Sequence, residues 1–372
     1  MNIKVKVILS VISVLLVSTI VLIIIANQNY TNSLTFLGEE TLHGAQQAFM
    51  QLEQSDVKML SAVSVALTTN DELLKAYAER KRDRFYELAG PIYDTLKNRY
   101  GITHWNLIDT PPSSVIFARL SKPELFNDTV RRITYINSVR TGNVTFGKEV
   151  GKTGFVLRTI TPVVYKNAII GYQEIGEDID KFFRLIKKQT NSDVALIVDK
   201  KFMNHKEWES TRSSKKLADN WSDFKDNLIV SSTFDNVSIL PMDIRVAEVP
   251  VQGKILGVFD QNNSVYQRSI FPVKDASLKT VGCIMIVQDI TKTAGEMRSS
   301  RIQLIVLIIV LSIVLCTIII LLLQRLVFSR LNHMINTITR VVGGDVNYKV
   351  KEDDEIGRFE AQIVEILRNL IT

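Results

Sequence analysis

Three arginines and one histidine are the side chains of this sequence best placed to do chemistry. Arg119 lies in SVIFARL (114–120) and Arg158 in GKTGFVLRTIT (151–161), both strand-like apolar runs. A guanidinium in such a run is costly unless it is paired, and its planar fork fits a carboxylate bidentately. Arg119, Arg131 and Arg158 are therefore candidates to hold a small anion such as an organic acid. The competing reading pairs them internally with Glu149, Glu174 or Asp128, or turns them to solvent. His104 is a further candidate contact and equally a hydrogen-bonded structural residue. Trp105, Tyr165 and Tyr172 are suited either to wall a pocket or to fill a core.

Other chemistries find little support. His43, His104, His205 and His333 are too scattered to form one metal site, and no zinc spacing, P-loop or Ser-His-Asp order occurs. No catalytic residue and no cofactor is expected, and the reading is not an enzyme. The two cysteines, Cys283 and Cys316, lie in different regions and predict no internal disulfide. The net charge of +6 comes from basic residues spread along the chain, which does not suggest nucleic acid.

The elements that must position these residues are bracketed by two apolar stretches. Val5–Ala26 and Ile302–Leu323 each have the length of a helix crossing a hydrocarbon core about 30 Å thick. The first exceeds a signal-peptide core and has no A-x-A-like cleavage site after it, so it reads as an uncleaved anchor. Lys4, Lys6, Arg325 and Arg330 flank the stretches and place both termini in the cytoplasm, with residues 27–300 outside. Lys292, Arg298 and Arg301 argue mildly for the reverse.

Between them, Leu42, Ala45, Phe49, Leu52, Leu60, Val63 and Leu67 recur mostly at spacings of three, four or seven. That seam predicts a helix from Asn27 to Leu67, a rod of roughly 60 Å. It serves as a dimer stalk, with Asp56 tuning register, or packs on its own domain; the stalk is the preferred reading. Thr69-Asn70-Asp71 breaks it and caps a second helix running to Tyr100, with Pro91 as a possible kink and Gly101 as its end. Strands are predicted at 103–108, 114–120, 151–161, 163–166 and 169–176, with helices at 126–138 and 178–190. Lys166-Asn167 is a tight turn. A second, smaller set of strands follows at 192–198, 228–234, 244–249, 254–259, 265–272 and 281–288. This order suits an α+β fold of PAS-like modules, each an antiparallel sheet with helices on one face.

NRYGITHWNLID (98–109), FARLSKPELFNDTVRR (117–132), GKEVGKTGFVLRTITPV (147–163), IIGYQEIGEDID (169–180) and NSDVALIVD (191–199) together resemble the double Cache sensors of transmembrane receptors. The resemblance covers roughly residues 35–290. It implies two stacked PAS-like modules on a long N-terminal helix, with the ligand in the membrane-distal module. Relatives of this kind carry imidazoles where Asn106, Ile108 and Ser121 stand here, and the amino-acid-binding arrangement of aromatic, Arg and Asp residues is absent. Residues 325–372 resemble a HAMP domain in Leu331, Met334, Gly344-Asp345 and Asp354-Glu355-Ile356-Gly357. Arg330 replaces the usual Pro before its first helix, and Val364 the usual Asn in its second. Ile356, Phe359, Ile363, Ile366 and Leu370 would line a parallel four-helix bundle of two chains.

The expected layout is a cytoplasmic N-terminus (1–6), a first membrane helix (7–26), a stalk (27–69), membrane-distal (70–190) and membrane-proximal (191–290) Cache modules, a second membrane helix (302–323) and HAMP (325–372). The expected function is a dimeric inner-membrane receptor. It would sense a small extracytoplasmic ligand through His104, Trp105, Arg119, Arg131, Arg158 and Tyr172. HAMP residues Gly344, Asp354, Glu355, Ile356 and Gly357 would relay the signal to a separate output protein. The alternatives are a fragment of a chemoreceptor or histidine kinase, and a non-sensing adaptor that dimerises with a partner receptor.

Overall fold

The computed structural model describes residues 3–151, 154–234, 244–343 and 355–371. It divides into two compact units, 34–291 and a second formed by 1–33 with 292–372.

The first unit is organised by the second half of helix α1 (Ile3–Leu67). Leu42, Ala45, Phe49, Leu60 and Leu67 are buried against the sheets of this same chain. The preferred dimer-stalk reading therefore needs correcting along this stretch: the seam faces the chain's own core. Asp56 likewise pairs within the chain, 2.6 Å from Lys181 Nζ. Apolar spacing marks the buried face of a helix without saying what buries it.

Two modules share that helix. In the first, α2 (Asp71–Ala78) and α3 (Arg82–Tyr100) precede β1 (His104–Asp109), β2 (Ile116–Arg119), α4 (Ile133–Thr141), β3 (Thr145–Gly151), β4 (Gly154–Tyr165), β5 (Ala168–Asp178) and α5 (Asp180–Thr190). Asn70 caps α2 by accepting from the Leu73 amide. The single helix expected over 71–100 is two, because Arg80 takes a left-handed φ of 57°. The helix expected at 126–138 begins only at Ile133; the segment before it is extended, and Thr129 bridges Val115. Pro162 does not divide β4, which runs through it paired with Tyr172. β3, whose sequence TFGKEVG carries two glycines and two charges and so gives little strand signal, precedes the strand expected from 151.

The second module contains β6 (Asp193–Asp199), α6 (His205–Ser214), β7 (Asn227–Ser232), β8 (Lys254–Gln261), β9 (Ser264–Lys274) and β10 (Thr280–Asp289). The strand expected at 244–249 is a 3₁₀ turn over Val246–Glu248. The two sheets have the same topology. Their orders are β2-β1-β5-β4-β3 and β7-β6-β10-β9-β8, so each strand of the second occupies its counterpart's place in the first.

The inner face of each sheet packs on α1. Trp105, Leu107 and Ile175 from the first and Leu196, Ile284 and Ile286 from the second join one core. Phe49 on α1 touches both sides, with ring centroids 5.8 Å from Phe182 and 6.0 Å from Phe271. At the edge of this core Lys181 Nζ lies 2.6 Å from Asp56 on α1 and 2.6 Å from Glu177 on β5. Burial, then the hydrogen bond to Asp56, push the Glu177 carboxyl up to about 8 against the pull of Lys181.

In the other unit, α7 (Thr291–Leu322) passes through a π-helical turn at Leu323–Phe328 into α8 (Ser329–Val342), and α9 (Glu355–Ile371) follows. α1 and α7 are each long and apolar enough to cross a membrane. Thr19 Oγ1 donates to Ser312 Oγ at 2.8 Å, joining the two helices within their apolar stretches. Val341 on α8 and Val364 on α9 are buried, while Phe359 and Ile366 are exposed in the single chain. Gly344, Asp345 and Asp354 lie outside the described residues, as do the side-chain surroundings of Leu370.

Two predictions follow from the packing. A Cβ at Gly171 would sit 1.8 Å from the Tyr77 hydroxyl, which donates to the Ile108 carbonyl at 2.9 Å. Gly171→Ala should therefore cost about 1–3 kcal/mol, read as a lowered Tm of the nanodisc-embedded chain; an unchanged Tm would contradict the close approach. The second concerns pH. Glu177 titrates near 4.5 unfolded and about 8 folded, so its folded form keeps a proton that the unfolded chain releases. Stability should fall between about pH 4.5 and about pH 8, where only the folded chain still holds the proton, and level off above that. Glu177→Gln should flatten the fall in thermal unfolding curves, and an unaltered slope would refute the assignment.

Candidate functional site

Alternation along the strands decides which side chains meet. His104, Asn106 and Ile108 point to one face of β1, while Trp105 and Leu107 point to the core. Register then lines up that outer face across the sheet: Arg119 opposite Asn106, Asn106 opposite Glu174, Ile108 opposite Tyr172, and Arg158 opposite Gly176 and Gly147. The connection 120–134 brings Arg132 to the same face.

The centre is Glu174, with no exposed surface. Its Oε1 accepts from Arg158 Nη1 and, at 3.2 Å, from Asn106 Nδ2. Its Oε2 accepts from Arg132 Nη1. Burial alone would raise this carboxyl, but Arg132 and then Arg158 hold it down at about 2. Two cations thus converge on one permanent anion. Beside them Arg119 Nη2 meets Asp128 Oδ2 at 2.5 Å. Glu149, on β3, turns Oε1 to the Thr134 amide at 2.9 Å and hydroxyl at 3.2 Å, capping the start of α4. Burial raises its carboxyl despite that hydrogen bond.

His104 joins the cluster as a neutral ring. Burial, then the Arg158 charge, push it down to about 3, and Nδ1 lies 2.8 Å from the Thr103 hydroxyl. Three buried polar atoms of the cluster lack a hydrogen-bond partner: Asn106 Oδ1, Glu149 Oε2 and Arg158 Nε. The last two stand 3.9 Å apart. A small group offering an anionic oxygen to the guanidinium groups and a donor to the two free acceptors would complete this set.

The structure sorts the residues singled out from the sequence. Arg119, Arg158, His104 and Tyr172 share the outer face. Tyr172 lies in its apolar half, edge-on to Tyr135 at 5.3 Å, with Ile108, Ile116, Val130 and Ile160. Trp105 does not belong to the site. It is fully buried on the opposite face, donating to Gln173 Oε1 at 3.2 Å. Arg131 is exposed, and its neighbour Arg132 takes the role instead. Sequence reasoning missed Arg132 and the central part of Glu174. The internal partners foreseen for the arginines, Asp128, Glu149 and Glu174, are the ones found.

The second sheet provides a comparison inside the chain. The centre of its corresponding face is apolar, with Ala195, Ile197, Ile270, Cys283, Met285 and Val287 in a separate cluster, while Arg268 shares that face on β9 and lies over the Phe259 ring at 4.0 Å. Cys283 is a free thiol pushed far up by burial, and it behaves as a small core side chain.

Residues 39–213 match dCache_3, the double sensory domain of two-component sensor kinases. No curated protein matches the chain. Among solved structures, the periplasmic domain of Vibrio cholerae LuxQ is similar at 12% identity and TM-score 0.39, covering 67% of this chain and 98% of that one. The V. cholerae histidine kinase DctB sensor domain is similar at 13% identity and TM-score 0.35, covering 67% and 96%. The sensory domain of the Campylobacter jejuni chemoreceptor Tlp3, with isoleucine bound, is similar at 14% identity and TM-score 0.33, covering 68% and 95%. With two like antiparallel sheets on one long helix and the family match from the first module into the start of the second, residues 39–213 are similar to a double Cache sensor domain.

Proposed function

We propose that this chain is a membrane receptor that senses a small organic acid or related anion at the outer face of its first sheet. The contrast between two sheets of equal topology carries the reading. One buries a carboxylate, Glu174, with Arg158 and Asn106 at the centre of its outer face, and the other centres that face on Ala195, Ile197, Ile270, Cys283, Met285 and Val287. Buried charge is expensive, and a sheet needing only stability is served by the apolar version. Arg132 is the entry point, because its side chain keeps 28% exposure while gripping buried Glu174. A ligand carboxylate would share Arg132 and Arg158 with Glu174, and its donor groups would meet Asn106 and Glu149.

A route for the signal leaves from β3. Beside Glu149, Lys148 pairs with Glu53 on α1, and its carbonyl accepts from the Ala276 amide at 2.8 Å. Gly147 lets Ala276 approach, since a Cβ there would lie 2.7 Å from the Ala276 side chain. Ala276 belongs to the β9–β10 turn, stiffened by three hydrogen bonds onto Asp275 Oδ1. β10 ends at Asp289, and α7 starts two residues later. Ligand-dependent movement of β3 would thus pass through the turn and β10 to the second membrane helix. The ligand biases this equilibrium only by its differential affinity for the two arrangements.

In this reading α1 and α7 anchor the chain, the sensor domain lies outside the inner membrane and both termini lie in the cytoplasm. α8 and α9 act as a HAMP pair. The exposed Phe359 and Ile366 fit a bundle completed by a second chain, which would pass the signal to an output protein.

Calorimetry of the chain in nanodiscs against a panel of organic acids and amino acids tests the proposal. At least one anion should bind saturably, and Arg132→Gln should weaken it at least tenfold, as loss of a charge-assisted contact of about 1.5–3 kcal/mol requires. Absence of binding across the panel, or equal binding by Arg132→Gln, would overturn it.

A further inference from the structure

A cavity in the sensor domain lies apart from the Glu174 cluster and reaches Ile229 and Phe234 at the border of the second sheet's apolar cluster. It has a volume of about 380 Å³ and lies where α5, α6 and β7 meet. That size falls within the range of about 300–1,000 Å³ in which small molecules bind.

Its lining carries charges of both signs. Asp180, the first residue of α5, contributes a carboxylate, and Arg212 and Lys215, at the end of α6, contribute two cations. Asp223 and Ser231 add polar groups to the wall. Arg212 is fixed by donation from Nε to the Ala218 carbonyl at 2.7 Å, and its guanidinium carbon lies 5.7 Å from the Trp208 ring centroid. Trp208 supplies a flat apolar surface, held in place because its Nε1 donates to Asn220 Oδ1 at 2.9 Å. Asn220 in turn donates to the Ile229 carbonyl at 2.8 Å. The wall is therefore tied to β7.

Asp180 takes a side-chain hydrogen bond from Ser231, and neither it nor its neighbour Asp178 has a cation at ion-pair distance among the described residues. Burial raises both carboxyls, and Lys215 is the charge that most offsets this, without forming a direct ion pair with either. Asp178 Oδ1 is buried and has no hydrogen-bond partner. Lys215 and Arg212 offer donors without a carboxylate within ion-pair distance among the described residues.

We infer that this cavity is a second ligand site, for a small zwitterion whose ammonium group meets Asp180 and whose carboxylate meets Lys215 and Arg212. A single anion would leave Asp180 uncompensated, and a single cation would leave the two basic groups so. The position gives occupancy a consequence. Asp178 and Asp180 flank the one residue that joins β5 of the first module to α5, whose Phe182 and Phe183 are core residues. A molecule bridging Asp180 to α6 would stiffen the junction between modules, and so adjust the response of the first site.

The test uses the chain in nanodiscs with glycine, β-alanine and γ-aminobutyrate, and acetate and ethylammonium as single-charge controls. Binding is read by calorimetry and by tryptophan fluorescence. At least one zwitterion should bind one per chain, and neither control should match it. Asp180→Asn and Lys215→Met should each weaken that binding at least tenfold, Lys215→Arg should retain it, and Arg132→Gln, which alters the other site, should leave it intact. Unchanged far-UV circular dichroism and a cooperative thermal transition above the assay temperature would establish that the variants are folded. No saturable binding by any zwitterion would overturn the inference. So would binding insensitive to Asp180→Asn and Lys215→Met, or binding lost in Arg132→Gln alone, which would assign it to the first sheet.

Discussion

The outer face of the first sheet depends on one buried carboxylate. Glu174 has no access to water, and the guanidinium groups of Arg158 and Arg132 are what make its charge tolerable. Removing one partner of such an arrangement typically costs about 3–5 kcal/mol, because a buried charge is left uncompensated. Replacing such a set with apolar residues is often neutral, and the centre of the second sheet's corresponding face is apolar. The polar face therefore fits the logic of recognition better than that of stability. It also fixes neighbouring elements: Arg132 tethers the connection before α4, Glu149 caps α4, and both belong to the frame around Glu174.

Much of the fold was legible in the sequence. The two apolar stretches, the break at Asn70, the turn at Lys166-Asn167 and most strands stand where residue types put them. The failures have physical causes. Arg80 adopts a left-handed conformation that nothing in DELLKAYAERKRDRF marks. Pro162 sits inside a long strand, where its missing N–H was expected to end one. TFGKEVG has little apolar content, and it pairs as an edge strand because its neighbour supplies the ladder. The buried seam of α1 looks the same in sequence whether a second chain or the chain's own sheets cover it.

The site was legible in part. Arg119 and Arg158 stood out because a charge interrupts an apolar strand, and both are ion-paired within the chain, to Asp128 and Glu174. Strand alternation separates Trp105 from His104 by one position, which reverses the face; the correct register was needed to see it. Arg132 gave no signal, since it lies in a polar connection whose path depends on tertiary structure. The period-two rule applied to β1 and β5 together would have found Glu174 opposite Asn106.

The central claim is that ligand capture at the Glu174 cluster moves β3 and the turn that touches it. Hydrogen–deuterium exchange on the nanodisc-embedded chain, with and without the tightest-binding organic acid of the panel, tests this most directly. The account predicts altered exchange in 126–134, in β3 and in the turn 275–279, and none of these changes in Arg132→Gln. Changes confined to other segments, or the same changes in Arg132→Gln, would contradict it.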